Sequence, residues 1–186
     1  ERMVATFRIP HTRVSSPGAL EGFSTALVAG GFTNEVLSAD WVNAFYRYVE
    51  SGGVLLAPSP IGSKLYPLFG VESVDARRTR TRLHLTGSDP VLAYVDHPRE
   101  RTISLGNGED DFYEEVIWTH GYRGITATSV PGRFGDDSAG FVQNYYGRGV
   151  AYLLGLSWRE TVLLPRVGGD YEAQRDYVNA FEPSAD

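Results

Sequence analysis

The sequence of 186 residues contains no cysteine. This absence excludes disulfides, Fe–S clusters, thiolate zinc sites and thiol nucleophiles together. It leaves the cellular compartment open, because exported and cytoplasmic proteins alike can lack cysteine. The length suits one domain of ordinary size. Because the chain begins Glu1-Arg2-Met3 and ends at Asp186, we expect it to be a single domain cut from a longer protein.

Long apolar runs and lysine are also scarce. No run approaches the roughly 18 apolar residues of a membrane-spanning helix, so no membrane span is predicted. Only Lys64 among the 17 basic residues is a lysine, and the formal net charge is −6. A negative net charge disfavours non-specific nucleic-acid binding, which requires a positive field. Hydrophobic residues still make up 42% of the chain, which is enough to build a core.

The segment from residue 23 to residue 57 predicts a strand, a helix and a second strand. Phe23–Ala29 predicts a buried strand, and Ser38 or Asp40 can cap the helix that follows. The apolar face of this helix consists of Trp41, Ala44, Phe45, Tyr48 and Val49. Val54–Ala57 is a continuous apolar run, which is typical of a central parallel strand. The pattern therefore indicates a βαβ unit.

Antiparallel strands are predicted in the rest of the chain. Residues 74–105 alternate in polarity and contain the turn residues Gly87-Ser88-Asp89-Pro90. Phe141–Tyr146 and Gly149–Leu154 flank Gly147-Arg148, and a two-residue loop with glycine first favours a hairpin with a type II′ turn.

The stretch YVESGGVLLAPSPIGSKLYPLFGV at residues 48–71 resembles class I glutamine amidotransferase-like domains. In that family a helix and a Gly-Gly pair lead into a strand, and a sharp turn after the strand carries the catalytic cysteine. We call this turn the elbow; here it is Ala57-Pro58-Ser59-Pro60-Ile61-Gly62. The resemblance implies an α/β fold with a flavodoxin-like parallel sheet core at residues 20–72 and 140–160. It also implies an antiparallel β insertion at about residues 74–135.

The residues that carry the chemistry of that family are absent. Ser59 lies near the position of the catalytic cysteine, with a proline on each side. The stretch YYGRGVAYLLGLSWRE occupies the position of the strand that delivers a His-Pro-Glu motif, and Trp158-Arg159-Glu160 stands where the motif falls. Amidotransfer needs a thiolate and a base that takes its proton. The chain therefore resembles a non-catalytic member, and no catalytic residue is assigned.

Non-catalytic relatives suggest a context for such a chain. The helix that runs into Gly52-Gly53 and the late glycine-rich strand resemble the trimerisation domain of some β-galactosidases. Residues 170–181 predict a C-terminal helix capped by Asp170, and the closing stretch YEAQRDYVNAFEPSAD resembles the lead-in to a polysaccharide deacetylase-like domain. The resemblance implies an assembly or ligand-binding role in a carbohydrate-related protein. The expected partners are a second copy of the chain or a neighbouring domain, with a carbohydrate as candidate ligand.

Two other functions stay open at this point. Ser59 is a candidate nucleophile of a serine hydrolase, which requires a histidine base and an oxyanion hole. Alternatively, Ser59, Trp158, Arg159 and Glu160 form a ligand-binding pocket, because ligands of open α/β sheets sit at the carboxyl ends of the strands. Aromatic side chains such as Trp158 can also stack on sugar rings, although most aromatic residues build cores.

A second binding hypothesis concerns Arg78, Arg80 and Arg82, which alternate along a predicted strand and would project from one face. They can bind an anionic sugar or phosphate, or pair with the acidic segment at residues 106–115. That segment favours a solvated loop over a Ca²⁺ site, because its acids are contiguous rather than alternate. The histidines show no zinc-binding spacing. No metal and no cofactor are predicted.

Overall fold

The computed structural model describes residues 9–93, 95, 101–105 and 117–158. Within these ranges the α-helices are α1 (Ala39–Glu50) and α2 (Tyr66–Phe69), with short 3₁₀ helices at Pro17–Gly22, Ser63–Leu65 and Pro90–Leu92. The strands are β1 (Thr25–Leu27), β2 (Val54–Pro58), β3 (Ser73–Val74), β4 (Arg78–Thr79), β5 (Arg82–Leu85), β6 (Thr102–Ser104), β7 (Trp118–Thr119), β8 (Tyr122–Arg123), β9 (Ser129–Phe134), β10 (Ala139–Tyr146) and β11 (Gly149–Leu154).

Nine of these strands form one mixed sheet. Its main path runs in the order β1-β2-β11-β10-β9-β5-β6, and β8 joins β10 to β3 beside that path. The pairs β1–β2 and β2–β11 are parallel. The other pairings of this sheet are antiparallel. In the described residues β4 and β7 form a separate antiparallel pair.

The predicted flavodoxin-like α/β fold is wrong. The described part of the chain is mostly β, with a curled mixed sheet that resembles half a barrel and few, short helices. Parallel strands need a long crossover connection, usually a helix, and in the described part of the chain α1 makes this connection between β1 and β2. The other parallel neighbour of β2 is β11, which follows β10 directly in a hairpin. Residues 73–134 contribute antiparallel strands to the same sheet.

The predicted βαβ unit itself is confirmed, but its first strand, predicted as buried, is largely exposed. The Ser38 hydroxyl accepts a hydrogen bond from the Trp41 N–H at 3.4 Å, which caps α1. The helix ends just before Gly52, whose φ of 116° is a conformation that side chains rarely adopt. β2 then lies between two parallel neighbours, β1 and β11. Local patterning therefore predicts this unit correctly, although it does not predict the whole sheet.

The predicted hairpin is also confirmed. β10 and β11 pair in register from Phe141↔Leu154 to Tyr146↔Gly149. Gly147 has a φ of 59°, and Arg148 does not have a positive φ, as a type II′ turn requires. The antiparallel strands predicted within residues 74–105 are present as well. The helix predicted at residues 170–181 lies outside the described residues.

Both α-helices pack on the same face of the sheet. The buried side chains of α1 meet those of β2 and β11 in the main core cluster, which includes Ala44, Phe45, Tyr48, Val49, Leu55, Ala57, Ala151 and Leu153. A second, smaller cluster forms around Leu83, Leu105, Ile117, Phe134 and Leu156. The elbow leaves β2 at the carboxyl edge of the parallel strands, and its Ala57 and Ile61 belong to the main core cluster.

Candidate functional site

Ser59 lies at the carboxyl edge of the parallel strands, where the sequence predicts a site. Its N–H donates a hydrogen bond to the Leu154 carbonyl at 2.8 Å, and its peptide bond to Pro60 is cis. The pairing of β2 with β11, which ends at Pro58↔Leu154, therefore continues by one hydrogen bond into the elbow. Because the Ser59 N–H is committed to this bond, it is not available to a ligand.

The hydroxyl of Ser59 is buried. Ser59 is only 1% exposed, and its Oγ lies 2.6 Å from the hydroxyl oxygen of Tyr122 on β8. Burial raises the pKa of Tyr122 far above its ordinary value, and the neighbouring Asp75 carboxylate adds to this shift. The phenol therefore stays protonated at physiological pH. It can hold the serine hydroxyl, but it cannot take a proton from it.

The described histidines make their hydrogen bonds elsewhere. The Nδ1 atom of His120 lies 3.4 Å from the Asp75 carbonyl, that of His84 lies 3.2 Å from Thr102 Oγ1, and that of His11 lies 2.9 Å from the Ile9 carbonyl. Within the described ranges, the side-chain hydrogen bond of Ser59 goes to Tyr122. General-base catalysis needs a base within hydrogen-bond reach of the nucleophile, and this arrangement does not supply one.

The chain after β1 closes the elbow from outside. The Phe32 N–H donates to the Pro60 carbonyl at 2.9 Å, and Phe32 forms a parallel bridge with Ile61. A Cβ on Gly31 would lie 2.6 Å from Pro60 Cδ, so only glycine allows this approach. The Asn34 side-chain amide donates to Ser63 Oγ at 2.8 Å. The elbow is thus paired on both sides, as a strand in a sheet is, and Pro60 is its one exposed residue.

Trp158 lies at the same edge as Ser59, as predicted. Its side chain is half-buried, and its indole N–H donates a hydrogen bond to the Val28 carbonyl just after β1. The polar atom of this tryptophan is therefore used within the chain. Arg159 and Glu160, the other two members of the predicted pocket, lie outside the described residues.

The three arginines of the predicted stripe do not form one surface. Arg78 belongs to β4 and Arg82 to β5, and these strands pair with different partners. Arg82 is exposed, whereas Arg80, which lies between the strands, is only 6% exposed. The alternation is present in the sequence, but the strand it predicts is interrupted at Arg80.

Arg80 instead forms the centre of a buried polar cluster. Its Nε donates to Asp136 Oδ2 at 3.0 Å, its Nη1 donates to Thr119 Oγ1 at 2.9 Å, and its Nη2 bonds to Asp75. The guanidinium carbon lies 4.6 Å from the centre of the Phe134 ring, a cation–π contact. The same Asp75 carboxylate also accepts the Gly121 N–H at 2.6 Å. We call Arg80, Asp75, Thr119 and Asp136 the Arg80 cluster.

The sequence does not reveal the hydrogen-bond partners of Ser59 or of Arg80. Asp75, Thr119, Tyr122 and Asp136 lie 5 to 63 positions from the residues they bond, and no motif links them. The sequence offers no local signal either, because Arg80 stands in the uniformly polar stretch from Arg77 to Arg82. A buried arginine needs carboxylate partners, but the sequence does not say which ones.

A shallow groove of about 310 Å³ opens elsewhere, lined by Thr86, Gly87, Ser88, Asp89, Ser129, Val130 and Pro131. Its polar groups bond mainly to one another. Ser129 Oγ lies 2.8 Å from Asp89 Oδ2 and 2.7 Å from the Gln143 amide, which in turn contacts the Tyr152 hydroxyl at 3.2 Å. The groove therefore ends in a connected polar chain rather than in free ligand-binding groups.

Neither a membrane span nor a metal site is present in the described part of the chain. No helix there is long and apolar enough to cross a bilayer, and no group of three or more histidine, aspartate or glutamate side chains is arranged to hold a metal ion. The acidic segment at residues 106–115 lies outside the described residues.

No protein-family model matches the chain, and no curated protein matches it in sequence. Solved structures with a similar fold include an exo-β-1,4-mannosidase from Opitutaceae bacterium strain TAV5, with a TM-score of 0.52 and 16% identity over 90% of this chain and 25% of that chain. A β-galactosidase from the haloarchaeon Halorubrum lacusprofundi gives a TM-score of 0.51 and 16% identity over 81% of this chain and 22% of that chain.

A cytoplasmic protein from Salmonella typhimurium LT2 is similar as well, with a TM-score of 0.53 and 14% identity over 76% of this chain and 63% of that chain. At these identities the likeness concerns the fold alone. This chain spans a quarter or less of the length of the two glycosidase chains.

We expect Arg80→Ala to destabilise the fold strongly. The change removes the buried counter-charge of the Asp75 carboxylate, whose side chain is 4% exposed, and leaves it only the exposed Arg78, whose Nε lies 3.6 Å from Asp75 Oδ2. Breaking a buried ion pair in this way typically costs about 3–5 kcal/mol. Urea unfolding measures the loss. The exposed Arg82→Ala is the control and should change the free energy of unfolding by no more than about 0.5 kcal/mol. Equal losses in both variants would contradict the role of Arg80.

Asp136 should make the fold sensitive to acid. Partial burial alone would raise the pKa of Asp136, but hydrogen bonds from Ser138 and the charge of Arg80 outweigh it and hold this pKa below its ordinary value of 3.8. The stabilisation from the carboxylate is therefore complete above that value and is lost as the pH falls through the lowered pKa. Asp136→Asn should be less stable than the wild type at neutral pH, and the difference should shrink in acid.

The measurement is the free energy of unfolding of both proteins from pH 7 to pH 2. Asp137→Asn is the matched control, because the Asp137 side chain is 91% exposed and asparagine tolerates its left-handed backbone, with φ of 62°. A difference for Asp136→Asn that stays constant with pH would contradict the lowered pKa.

The Ser59–Tyr122 bond should contribute to stability as a pair. Ser59→Ala or Tyr122→Phe each leaves one buried hydroxyl without its partner, which costs about 1–3 kcal/mol. The double variant removes both hydroxyls, so its loss should be smaller than the sum of the single losses. A double-mutant cycle in urea tests this expectation. Additive losses would show that the two hydroxyls do not depend on each other.

Proposed function

We propose that this chain is a non-catalytic domain of a larger carbohydrate-active protein, in which it serves assembly rather than bond cleavage. The observation that carries the proposal is the closed elbow. The Ser59 hydroxyl is buried and bonded to a protonated tyrosine, and the segment after β1 pairs along the outside of the elbow. A substrate would have to break this packing to reach the hydroxyl.

The backbone of the elbow supports the same conclusion. In serine hydrolases with a nucleophile elbow, the residue after the nucleophile supplies an N–H to the oxyanion hole. Here that residue is Pro60, which has no N–H. The N–H of Ser59 itself is bonded to the Leu154 carbonyl. The elbow thus lacks both the base and the backbone donor that acyl transfer requires.

The carbohydrate context is inferred from the fold. Two of the similar solved structures are glycoside hydrolases, and the match covers a quarter or less of each. This chain therefore corresponds in length to one domain of such a protein. Because the described residues form no reactive site at the elbow, we favour a contribution through contacts with neighbouring domains or subunits, which is assembly.

Several finer predictions from the sequence remain predictions. They are the relation to amidotransferase-like proteins, a β-galactosidase-type trimerisation role, a following deacetylase-like domain and a carbohydrate ligand. The βαβ unit with its elbow is compatible with the first two. Native mass spectrometry of the chain distinguishes a homo-oligomer from a monomer that docks on a neighbouring domain.

We expect Ser59 to resist serine-directed reagents. A fluorophosphonate probe labels a serine that a base activates and that solvent reaches; neither condition holds here. The chain, incubated with such a probe, should carry no adduct at Ser59 by peptide mass spectrometry. It should also hydrolyse short-chain aryl esters no faster than Ser59→Ala does.

A known serine esterase in the same incubation is the positive control for the probe. Unfolding in urea before labelling is the control for the chain, because it removes the packing around Ser59. An adduct at Ser59 of the folded wild type that is lost in Ser59→Ala would overturn the non-catalytic proposal and support a hydrolase.

A further inference from the structure

The groove beside β9 has exposed apolar side chains at its rim. Its lining includes Asp89 and Ser129. Val91, whose N–H donates to Asp89 Oδ1 at 3.0 Å, is 37% exposed. Tyr145 is 56% exposed, and its N–H donates to Thr128 Oγ1 at 3.0 Å, which places it beside the residue that precedes Ser129. A concave site that combines apolar surface with a few polar groups is the usual form of a small-molecule site.

The groove is accessible to solvent and has room for a small ring. Thr86, Gly87 and Ser88 in its lining are exposed. At Gly87, no heavy atom of the described part of the chain lies within 4 Å of the position that a Cβ would take. The groove volume of about 310 Å³ lies at the lower end of the range of roughly 300–1,000 Å³ that ligand sites occupy. These dimensions favour a ligand of the size of a single substituted ring.

The polar chain at the end of the groove is connected, but it has fewer hydrogens than acceptors. Ser129 Oγ lies 2.8 Å from Asp89 Oδ2 and 2.7 Å from Gln143 Oε1, whereas a serine hydroxyl has one hydrogen to donate. The Gln143 amide nitrogen donates to the Tyr152 hydroxyl, 3.2 Å away, so it does not supply the missing hydrogen to Ser129. Whichever oxygen Ser129 serves, the other one lacks a hydrogen, and this surplus favours a ligand that brings donors.

Asp89 is the acceptor that a ligand can reach. Gln143 is only 2% exposed, whereas Asp89 is half-buried and lines the groove. A carboxylate has about four lone-pair positions, and the Val91 N–H and Ser129 use two of them. A ligand hydroxyl that donates to Asp89 leaves the hydrogen of Ser129 to Gln143, so that both acceptors are served.

Tyr145 supplies an aromatic surface at the same end of the groove. Tyr145 and Gln143 are two residues apart on β10, so their side chains lie on the same side of the sheet. Burial raises the pKa of Tyr152, and the nearby Asp89 carboxylate and Tyr145 phenol add to this shift. The two tyrosines therefore lie close to the carboxylate, and an exposed ring stands beside a group that accepts hydrogen bonds.

We propose that the groove binds one unit of a neutral saccharide, whose hydroxyls donate to Asp89 and whose C–H face lies on the Tyr145 ring. A pyranose offers several O–H donors along its edge, and its C–H groups are attracted to the negative face of an aromatic ring. A metal cation fits less well, because Asp89 is the one carboxylate among the described residues that line the groove, and Ca²⁺ takes six to eight oxygen ligands. This inference does not rest on the proposed function, since it needs neither catalysis nor the elbow.

Titration with the methyl β-pyranosides of glucose, galactose and mannose, followed by amide chemical shifts in NMR, tests the proposal. The galactoside and the mannoside each differ from the glucoside in the orientation of one hydroxyl. At least one of the three should bind with a Kd in the millimolar range and shift the amides of the groove. Tyr145→Ala should raise this Kd about fivefold, whereas Tyr145→Phe, which keeps the ring, should leave it nearly unchanged. Asp89→Asn should raise it about tenfold, because charged acceptors form the stronger hydrogen bonds.

Matched controls lie outside the groove. Phe23→Ala removes another exposed ring, and Asp137→Asn removes another exposed carboxylate; neither should change the Kd. Thermal unfolding shows whether each variant is folded, and if Asp89→Asn does not fold, the comparison of Tyr145→Ala with Tyr145→Phe still decides.

The proposal is overturned if none of the three glycosides binds, or if Tyr145→Ala and Phe23→Ala change the Kd equally. Binding of Ca²⁺ or methylammonium in the groove without binding of any glycoside would overturn it in favour of a cation site. None of these outcomes alters the labelling of Ser59 or the oligomeric state, so failure of this inference is distinguishable from failure of the proposed function.

Discussion

The buried guanidinium of Arg80 is the interaction on which the antiparallel half of the molecule depends. An arginine cannot lose its charge in a protein, and it presents several N–H donors in a fixed plane. Arg80 meets this demand with Asp75 after β3, Thr119 on β7 and the Asp136 carboxylate in the turn between β9 and β10. Three segments that share little backbone pairing are thus held around one charge, and moving any of them would leave a buried polar group unpaired.

The Ser59–Tyr122 bond links this cluster to the parallel strands. Tyr122 lies on β8, which pairs with β3 on one side and β10 on the other, and the preceding Gly121 N–H bonds to Asp75 of the Arg80 cluster. A Cβ on Gly121 would lie 2.7 Å from the Arg80 guanidinium, so the close packing depends on glycine. The elbow serine therefore takes part in joining two halves of the sheet. A hydroxyl with that role must stay buried, which is the opposite of what a nucleophile requires.

Sequence patterns predicted the features that local physics determines. The cap and apolar face of α1, the apolar run of β2 and the glycine of the β10–β11 turn each act within a few residues, and all were predicted correctly. The fold class was not, because a βαβ unit does not show which strands join its sheet afterwards. The strands β3, β4, β7 and β8 have two residues each, too few to show alternation. Arg80 does not belong to the predicted arginine stripe, because the alternation of Arg78, Arg80 and Arg82 continues across the break between β4 and β5.

The elbow at Ser59 shows how such a turn packs when its polar groups form hydrogen bonds within the chain. The sequence placed Ser59 and Trp158 at one edge, and the structure does the same, yet both polar groups are used within the chain. A catalytic elbow must keep its backbone donors and its nucleophile free, at a cost in stability. The described residues supply no base beside Ser59, so no catalytic benefit offsets that cost, and the most stable arrangement is one in which each polar group finds a partner inside. In the described residues no buried side-chain nitrogen or oxygen lacks a hydrogen-bond partner, as this argument requires.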